Sequence, residues 1–218
     1  MKKLLTLLLV AVTTIACGDN NTAESVPGYV AGVNYRTLAN PISTNSEKIE
    51  VREFFAYGCP HCQSFETPLH HWRQTMATDV NLVQSPAVWN DLMKLHAQVF
   101  FIIQSMPNKA EVHAALFAEV MELRGVSDVN AQTDKLATFL AGYGLSRNEF
   151  ERQLASAEVK KSTAQAMQLM SRAKVEGTPT IVINGRYAVI NRSAKSFEEI
   201  LEITNFLIDK ERVRLAQH

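Results

Sequence analysis

The chain has 218 residues, of which 46% are apolar and 20% are charged, and its formal net charge is zero. No internal repeat or low-complexity block interrupts this composition, so we predict one folded domain with a sizeable core and room for an insertion. Removing residues 1–16 takes away two lysines and no acid, which leaves a net charge of about −2 and no basic surface for nucleic acid.

The first 16 residues have the pattern of a bacterial secretory signal peptide. Two lysines precede the apolar run Leu4–Ala16, which contains no acid and is shorter than a typical transmembrane helix. We therefore expect an exported protein whose mature form lacks residues 1–16. Residues 17–28 follow as a polar tether with the composition of a flexible linker.

Two ways of processing the signal peptide remain open. Residues 14–17, Thr-Ile-Ala-Cys, are similar to a lipoprotein signal, although Thr14 stands where leucine is usual. Thr14 and Ala16 also fit an ordinary signal peptidase, which would leave Cys17 as a free N-terminal thiol able to form mixed disulfides. We favour lipidation of Cys17, which would anchor the exported protein to a membrane.

Alternating apolar residues predict five strands in two groups. Asn184-Gly185 lies between two short apolar runs, and this is the strongest local signal for a β-hairpin. The predicted strands are Asn34–Leu38, Lys48–Tyr57, Val80–Ala87, Thr180–Ile183 and Arg186–Ile190.

Apolar residues at spacings of three and four predict a run of helices between the third and fourth strands. A helix after the second strand and a last helix from Ser196 complete the order β-β-α-β, five helices, β-β-α. The predicted helices of the run are Leu92–Met106, Ala110–Leu123, Thr133–Ala141 and two more between Ser146 and Gly177.

The second strand leads directly into Cys59-Pro60-His61-Cys62 at the start of a helix. Two thiols one turn apart are typical of a dithiol that makes or breaks disulfides. The N-terminus of a helix presents unpaired N–H groups and the positive end of its dipole, which favour the thiolate of Cys59. We predict Cys59 as the reactive thiol, Cys62 as the buried resolving thiol and His61 as a donor to the Cys59 sulfur.

A Cys-x-x-Cys pair is also half of a four-cysteine zinc site, so a metal-binding lipoprotein without redox activity is an alternative. The sequence offers no second ligand pair, because the other cysteine is Cys17 and two nearby histidines lie two turns along the same helix. Gln63 occupies the position where haem attachment requires histidine. We therefore predict no metal site. Surface or packing roles are predicted for His70, His71, His96 and His113.

Strand periodicity singles out one acid near the dithiol. Glu53 shares its face of the second strand with Val51 and Phe55, whereas Glu50 and Arg52 share the opposite face. We therefore expect Glu53 to be the buried acid, in a place where a carboxyl group is able to move protons.

The dithiol motif and the later Thr178-Pro179, with helices between them, resemble the DsbA family of thiol-disulfide oxidoreductases. Residues 53–58, Glu-Phe-Phe-Ala-Tyr-Gly, and Phe65-Glu66 carry the same likeness, which extends over residues 29–215. The resemblance implies an α/β thioredoxin fold in two parts, residues 29–90 and 177–218, with an inserted all-helical domain at residues 91–176. It also implies a cis bond before Pro179, packed against the dithiol, and site roles for Thr178, Pro179 and Pro60.

Glu66 stands at the place of a second acid in the family, which implies proton transfer through a charge network with Glu53. A basic residue often found on the following strand is replaced here by Gln84, and this replacement argues against the network. The family also implies unfolded or reduced exported proteins as substrates, a quinone-linked DsbB-like membrane partner and a periplasmic location. No cofactor beyond the Cys59–Cys62 disulfide is expected.

Thr178 leaves the direction of disulfide exchange open. Many oxidants of this family resemble each other in having valine before the cis proline, whereas threonine there is more typical of disulfide isomerases. We favour oxidation, because such isomerases are V-shaped dimers and the short segment before Asn34 offers no obvious dimerisation domain. A disulfide isomerase, or a dual oxidant and isomerase, is the alternative.

Overall fold

Five strands form one mixed sheet in the order β1-β5-β4-β2-β3 in the computed structural model, which describes residues 28–44 and 46–217. All five predicted strands are present, and four are slightly shorter than predicted. They are β1 Tyr35–Thr37, β2 Ile49–Phe55, β3 Val80–Pro86, β4 Thr180–Ile183 and β5 Tyr187–Val189. The predicted signal peptide, Cys17 and nearly all of the predicted tether lie outside the described residues.

Strand β2 lies inside the sheet, because it pairs in parallel with β3 and antiparallel with β4. Phe54 and Phe55 point to opposite faces of this strand and both are fully buried. Because both faces of β2 are covered, Glu50 is only 7% exposed, although it lies on the face opposite Glu53. The Glu50 Oε1 atom forms an ion pair there with the Arg52 guanidinium at 2.9 Å. The chain leaves the carboxyl end of this interior strand and leads directly into the dithiol.

Seven helices surround the sheet, and their order agrees with the prediction. They are α1 Pro60–Thr75, α2 Asp91–Ile103, α3 Lys109–Glu122, α4 Val129–Ala141, α5 Arg147–Ala155, α6 Ala157–Arg172 and α7 Phe197–Ala216. Helix α4 begins before the predicted Thr133, because the Asp128 side chain accepts a hydrogen bond from the Ala131 N–H and caps it. Among the described helices, none is long and apolar enough to cross a membrane.

Helices α2–α6 lie between β3 and β4 and are called the helical insertion below. Its apolar core continues into the sheet, because Leu116 and Phe117 of α3 belong to one buried cluster with Phe55 and Cys62. The next turn of α1 contacts a different apolar cluster, in which Phe65 packs against side chains of the β-strands and of α7. Helix α1 therefore lies between two cores, with the buried thiol on the side of the insertion.

The predicted hairpin joins β4 and β5 through a tight turn. Asn184 and Gly185 both have positive φ, at 48° and 58°. A Cβ atom at position 185 would lie 2.0 Å from the carbonyl oxygen of Ile42, so this turn accepts only glycine. The Asn-Gly prediction is confirmed, and the turn returns the chain to the sheet beside β1.

Candidate active site

The dithiol occupies the junction between β2 and α1. Cys59 is the N-cap residue of α1, with extended backbone angles, and Pro60 is the first helical residue. Both thiols are free, with Cys59 partly exposed and Cys62 fully buried one turn later. This placement agrees with the predicted arrangement of one accessible sulfur and one sulfur in the protein interior.

The loop before β4 closes over Cys59. The Thr178–Pro179 peptide bond is cis, as the resemblance implies. The Cys59 thiol donates to the Thr178 carbonyl oxygen over 3.3 Å, although the two residues are separated by 119 positions in sequence. The fold therefore brings the two ends of the predicted site together.

Several donors stabilise the Cys59 thiolate. Its pKa falls from the ordinary 9.0 to about 5, chiefly because the Cys62 thiol donates a hydrogen bond to the Cys59 sulfur. Burial opposes this effect, while the Thr178 hydroxyl and the backbone N–H groups of Cys62 and His61 reinforce it. The Thr178 carbonyl oxygen accepts from the protonated thiol and so favours it, but this single acceptor is outweighed by the four donors just named. Cys59 is therefore a thiolate at neutral pH.

Cys62 has the opposite character. Its pKa is raised far above the ordinary range, first because its proton is held in the hydrogen bond to Cys59 and then because the thiol is buried. One sulfur of the pair is therefore anionic and accessible, and the other is neutral and enclosed.

The His61 imidazole does not take the predicted position. Its side chain is exposed, and within the described part of the chain it makes no hydrogen bond to the Cys59 sulfur. The contact between these residues runs through the His61 backbone N–H instead. The reason is geometric: the first N–H groups of a helix converge on the N-cap residue, whereas the side chain at the second helical position points outward.

Two carboxyl groups lie beneath the dithiol and share one amide. Gln84 of β3 donates from its Nε2 atom to Glu53 Oε2 at 2.9 Å and to Glu66 Oε1 at 2.8 Å. Gln84 therefore joins the two acids by hydrogen bonds, because one amide nitrogen carries two hydrogens, but it does not supply the charge of the basic residue that it replaces. Glu53 is fully buried, as the strand periodicity predicts.

The environment of Glu53 favours its protonated form. Burial is the largest cause, the charge of Glu66 adds to it, and the Gln84 hydrogen bond opposes it, which together raise the pKa of Glu53 to about 8. The charge of Cys59 acts in the same direction as Glu66. The acid is thus electrostatically linked to the dithiol and remains largely protonated at neutral pH.

The helical insertion contributes two side chains that the sequence did not indicate. His113 of α3 is buried, with its Nδ1 atom 2.6 Å from the Tyr57 hydroxyl and its Nε2 atom 3.6 Å from Glu66 Oε1. Arg124, just after α3, donates to the carbonyl oxygen of Gly58 at 3.0 Å. No local pattern marks either residue, because each becomes part of the site only through packing of the insertion on the sheet.

The other histidines lie where surface or packing roles were predicted. His70 and His71 are exposed on α1, and His96 is buried against Gln132 at 2.8 Å. Within residues 28–44 and 46–217, no group of three or more His, Cys, Asp or Glu side chains could hold a metal ion.

Proteins similar to this chain are named for the chemistry that the dithiol supports. A thioredoxin family model matches residues 45–203. The thiol:disulfide interchange protein DsbA of Pseudomonas aeruginosa is 34% identical over 207 residues, which cover 94% of this chain and 96% of the relative. The chain belongs to the DsbA family. It is a thiol:disulfide oxidoreductase that exchanges disulfides with substrate proteins.

Further DsbA relatives agree in sequence and in structure. The DsbA of Azotobacter vinelandii is 31% identical over 97% of this chain and 99% of its own. The crystal structure of Pseudomonas aeruginosa DsbA matches with a TM-score of 0.77 at 34% identity, covering 86% of this chain and 97% of that chain. DsbA from Xylella fastidiosa matches with a TM-score of 0.76 at 33% identity, covering 85% and 98%. The predicted thioredoxin fold is confirmed.

Proposed function

We propose that this DsbA family member is an oxidant that introduces disulfides into exported proteins, with Cys59–Cys62 as its redox-active disulfide and no further cofactor. The observation that carries the proposal is the stabilised thiolate of Cys59, whose pKa lies at about 5. The thiolate exists only in the reduced enzyme, so its stabilisation favours reduction of the enzyme and oxidation of the substrate. Stabilisation of the reduced form is the general reason that DsbA proteins are strong oxidants.

In the first step, a substrate thiolate attacks the Cys59 sulfur of the oxidised enzyme. A bond forms between the two sulfurs, the Cys59–Cys62 bond breaks, and its electron pair goes to the Cys62 sulfur. Attack at Cys59 is favoured because Cys62 is fully buried. The departing Cys62 thiolate takes up a proton, since its surroundings strongly favour the neutral thiol.

We assign delivery of that proton to Glu53. At neutral pH this acid is largely protonated, and among the described residues its Oε1 atom has no hydrogen-bond partner. Glu66 keeps the Gln84 amide in place and repels the charge that Glu53 would otherwise carry. Glu53 regains its proton from a substrate thiol, so the acid is unchanged after each cycle.

In the second step, a second substrate thiolate attacks the substrate sulfur of the mixed disulfide. The substrate disulfide forms and Cys59 departs as a thiolate, which is a good leaving group because of its low pKa. Two electrons have then passed from substrate to enzyme. Of the two protons released by the substrate thiols, one resides on Cys62 and the other has gone to solvent.

Three neighbouring residues would position the reacting sulfur. Pro60 begins α1 without needing a partner for an N–H group, and its fixed φ suits the first helical turn. That turn directs the next two N–H groups at Cys59. Thr178 and Pro179 form the loop against the Cys59 thiol, and we assign to this loop the contact with the substrate backbone beside the reacting sulfur.

Location and partners follow from the sequence. The signal peptide supports export to the periplasm, and the lipobox-like residues before Cys17 support a lipid anchor there. An oxidant becomes reduced in each cycle, so a quinone-linked DsbB-like membrane protein is the proposed reoxidising partner. In this organisation, residues 29–90 carry the two thiols, residues 177–218 supply the Thr178-Pro179 loop beside Cys59, and residues 91–176 cover the buried thiol.

The function is tested by ribonuclease reactivation with the mature protein. Fully reduced ribonuclease under oxidising buffer is expected to recover activity, whereas scrambled ribonuclease under reducing buffer is not. The Thr178→Val variant is the matched control, because it removes the threonine typical of isomerases. Rescue of scrambled substrate by the natural protein and not by Thr178→Val would establish the dual oxidant and isomerase instead. Failure with both substrates would reject oxidation.

Two variants of His61 separate its backbone from its side chain. His61→Pro removes the N–H group that supports the Cys59 thiolate, so we expect the pKa of Cys59 to rise by roughly one unit. His61→Ser keeps that N–H and removes only an exposed imidazole. Thiolate absorbance near 240 nm, titrated from pH 3 to 9, measures both. An equal rise of the Cys59 pKa in the two variants would show that the imidazole stabilises the thiolate. An unchanged Cys59 pKa in His61→Pro would exclude a contribution from the backbone N–H.

A further inference from the structure

His113 is a buried, polar side chain that the proposed reaction does not use. Its ring lies in the contact between the helical insertion and the thioredoxin part, surrounded by the rings of Phe55, Phe100 and Phe117. Within the described part of the chain, its Nε2 atom is buried without a hydrogen-bond partner. A polar nitrogen in such surroundings is costly unless an interaction compensates for it.

Tyr57 and Glu66 together favour one tautomer of the His113 ring. Burial and the charge of Glu66 raise the pKa of Tyr57 well above its ordinary value, so the phenol keeps its hydrogen. A neutral ring that accepts this hydrogen at Nδ1, 2.6 Å from the Tyr57 oxygen, carries its own hydrogen on Nε2, whereas the reverse tautomer would set a bare Nε2 lone pair against the Glu66 carboxylate. Nε2 faces Glu66 Oε1 at 3.6 Å, so the ring presents a positive N–H dipole to that carboxylate.

The neutral amide of Gln84 cannot balance two carboxylates. It donates to both Glu53 and Glu66 but carries no net charge. Among the described side chains, His113 is the basic group at ion-pair distance from this pair of acids, with its Nε2 atom 3.6 Å from Glu66 Oε1. Whether neutral or protonated, it stabilises the state in which both acids are ionised.

We propose that His113 is a positioning residue of disulfide exchange, which holds Glu66 from the helical insertion and thereby controls the last proton of the Glu53–Glu66 pair. This inference rests on the proposed role of Glu53 in supplying a proton to Cys62. The separation of 3.6 Å is longer than a hydrogen bond, so the interaction is electrostatic, and a small approach of the ring would make it a direct bond.

The groups around the ring come from α1, β2 and the segment after it, β3, α2 and α3. Glu66 of α1 and Tyr57 after β2 are the titratable ones, and Glu53 of β2 follows behind Gln84 of β3. The faces contributed by β2, α2 and the next turn of α3 are the apolar rings of Phe55, Phe100 and Phe117. Glu66 is therefore the charge through which His113 acts.

The test is a titration of glutamate carboxyl groups by ¹³C NMR in the reduced mature protein, with Glu53→Gln to assign the Glu53 signal. His113→Phe keeps the aromatic packing and removes both nitrogens. We expect the upper titration midpoint of the acid pair to rise by about one pH unit, because the doubly ionised pair loses its donor. His113→Gln, which retains an N–H donor, is expected to restore at least half of that shift.

Two controls separate positioning from simple destabilisation. His96→Phe alters the other buried histidine of the insertion, which bonds Gln132, and is expected to leave the midpoint unchanged. Tyr57→Phe removes the hydroxyl that supports the His113 tautomer, so it should shift the midpoint in the same direction as His113→Phe. It replaces His113→Phe in the test if His113→Phe does not fold. A midpoint that stays at its natural value in both His113→Phe and Tyr57→Phe would overturn the inference.

The same titration distinguishes failure of this inference from failure of the proposed function. If the titration step disappears in Glu53→Gln but its midpoint does not change in the His113 variants, Glu53 remains the proton donor and only the role of His113 is rejected. Absence of any Glu53 step between pH 6 and 10 would reject the proton donor itself, and His113 with it. Ribonuclease oxidation by the natural protein is measured in parallel and tests the oxidant function independently.

Discussion

Replacing Cys59 with serine is expected to abolish disulfide transfer. The hydroxyl of serine neither forms the internal disulfide nor ionises near neutral pH, so no electron pair can pass from the substrate to the enzyme. We expect turnover of reduced ribonuclease to fall to the buffer rate, at least a thousandfold below the natural protein by analogy with the loss of other covalent nucleophiles. Stopped-flow or gel-based oxidation assays measure this loss directly.

Cys62→Ser is the matched variant, because it keeps the reactive sulfur and removes the buried one. It is expected to form a mixed disulfide with a substrate or a small thiol and to release it only when another thiol attacks, which mass spectrometry detects as a covalent adduct. The order of the two sulfurs would be wrong if adducts accumulated on Cys59→Ser and not on Cys62→Ser. Normal folding of both variants, checked by circular dichroism, makes the comparison valid.

The reduced enzyme is expected to be more stable than the oxidised enzyme, by an amount that depends on pH. Cys59 has a pKa of about 5 when folded and near 9.0 when unfolded, so the folded reduced state holds fewer protons between these values. The stabilisation is complete above pH 9, decreases as pH falls and vanishes below pH 5. The full shift corresponds to about 5 kcal/mol, and because Cys59 is only partly buried we expect roughly 2 to 3 kcal/mol.

Urea unfolding of both redox forms between pH 4 and pH 9 measures this difference. The reduction potential offers a second reading: above pH 5 one proton accompanies two electrons, so the potential should fall by about 30 mV per pH unit, and below pH 5 by about 59 mV. Cys59→Ser serves as a control that has no thiolate to stabilise. A constant stability difference over this pH range would contradict the account of Cys59.

Much of the site could be predicted from sequence because its chemistry is local. The spacing of Cys59 and Cys62 places one thiol at a helix N-terminus and the other inside, and strand periodicity predicts the burial of Glu53. The Asn-Gly turn is likewise a property of two neighbouring residues. In each case backbone geometry over a few positions determines where the side chain lies.

Other features could not be predicted, since they depend on packing between distant segments. His113 is 47 positions from Glu66 and approaches it only because α3 packs against the end of β2. The link through Gln84 depends on its two amide hydrogens, which reach Glu53 and Glu66 only because β3 pairs with β2 and lies near α1. The outward position of the His61 ring depends on helix geometry that the motif does not express.

The burial of Cys62 in the core shared with the helical insertion also means that only one sulfur of the pair is open to an incoming substrate thiolate. In the proposed reaction an incoming sulfur would reach the partly exposed Cys59 from solvent, whereas an approach to Cys62 would require the helices to separate from the sheet. We therefore expect steric shielding to prevent dead-end adducts on Cys62, independently of the acidity of either thiol. We also expect loosening of the insertion to expose Cys62 to attack.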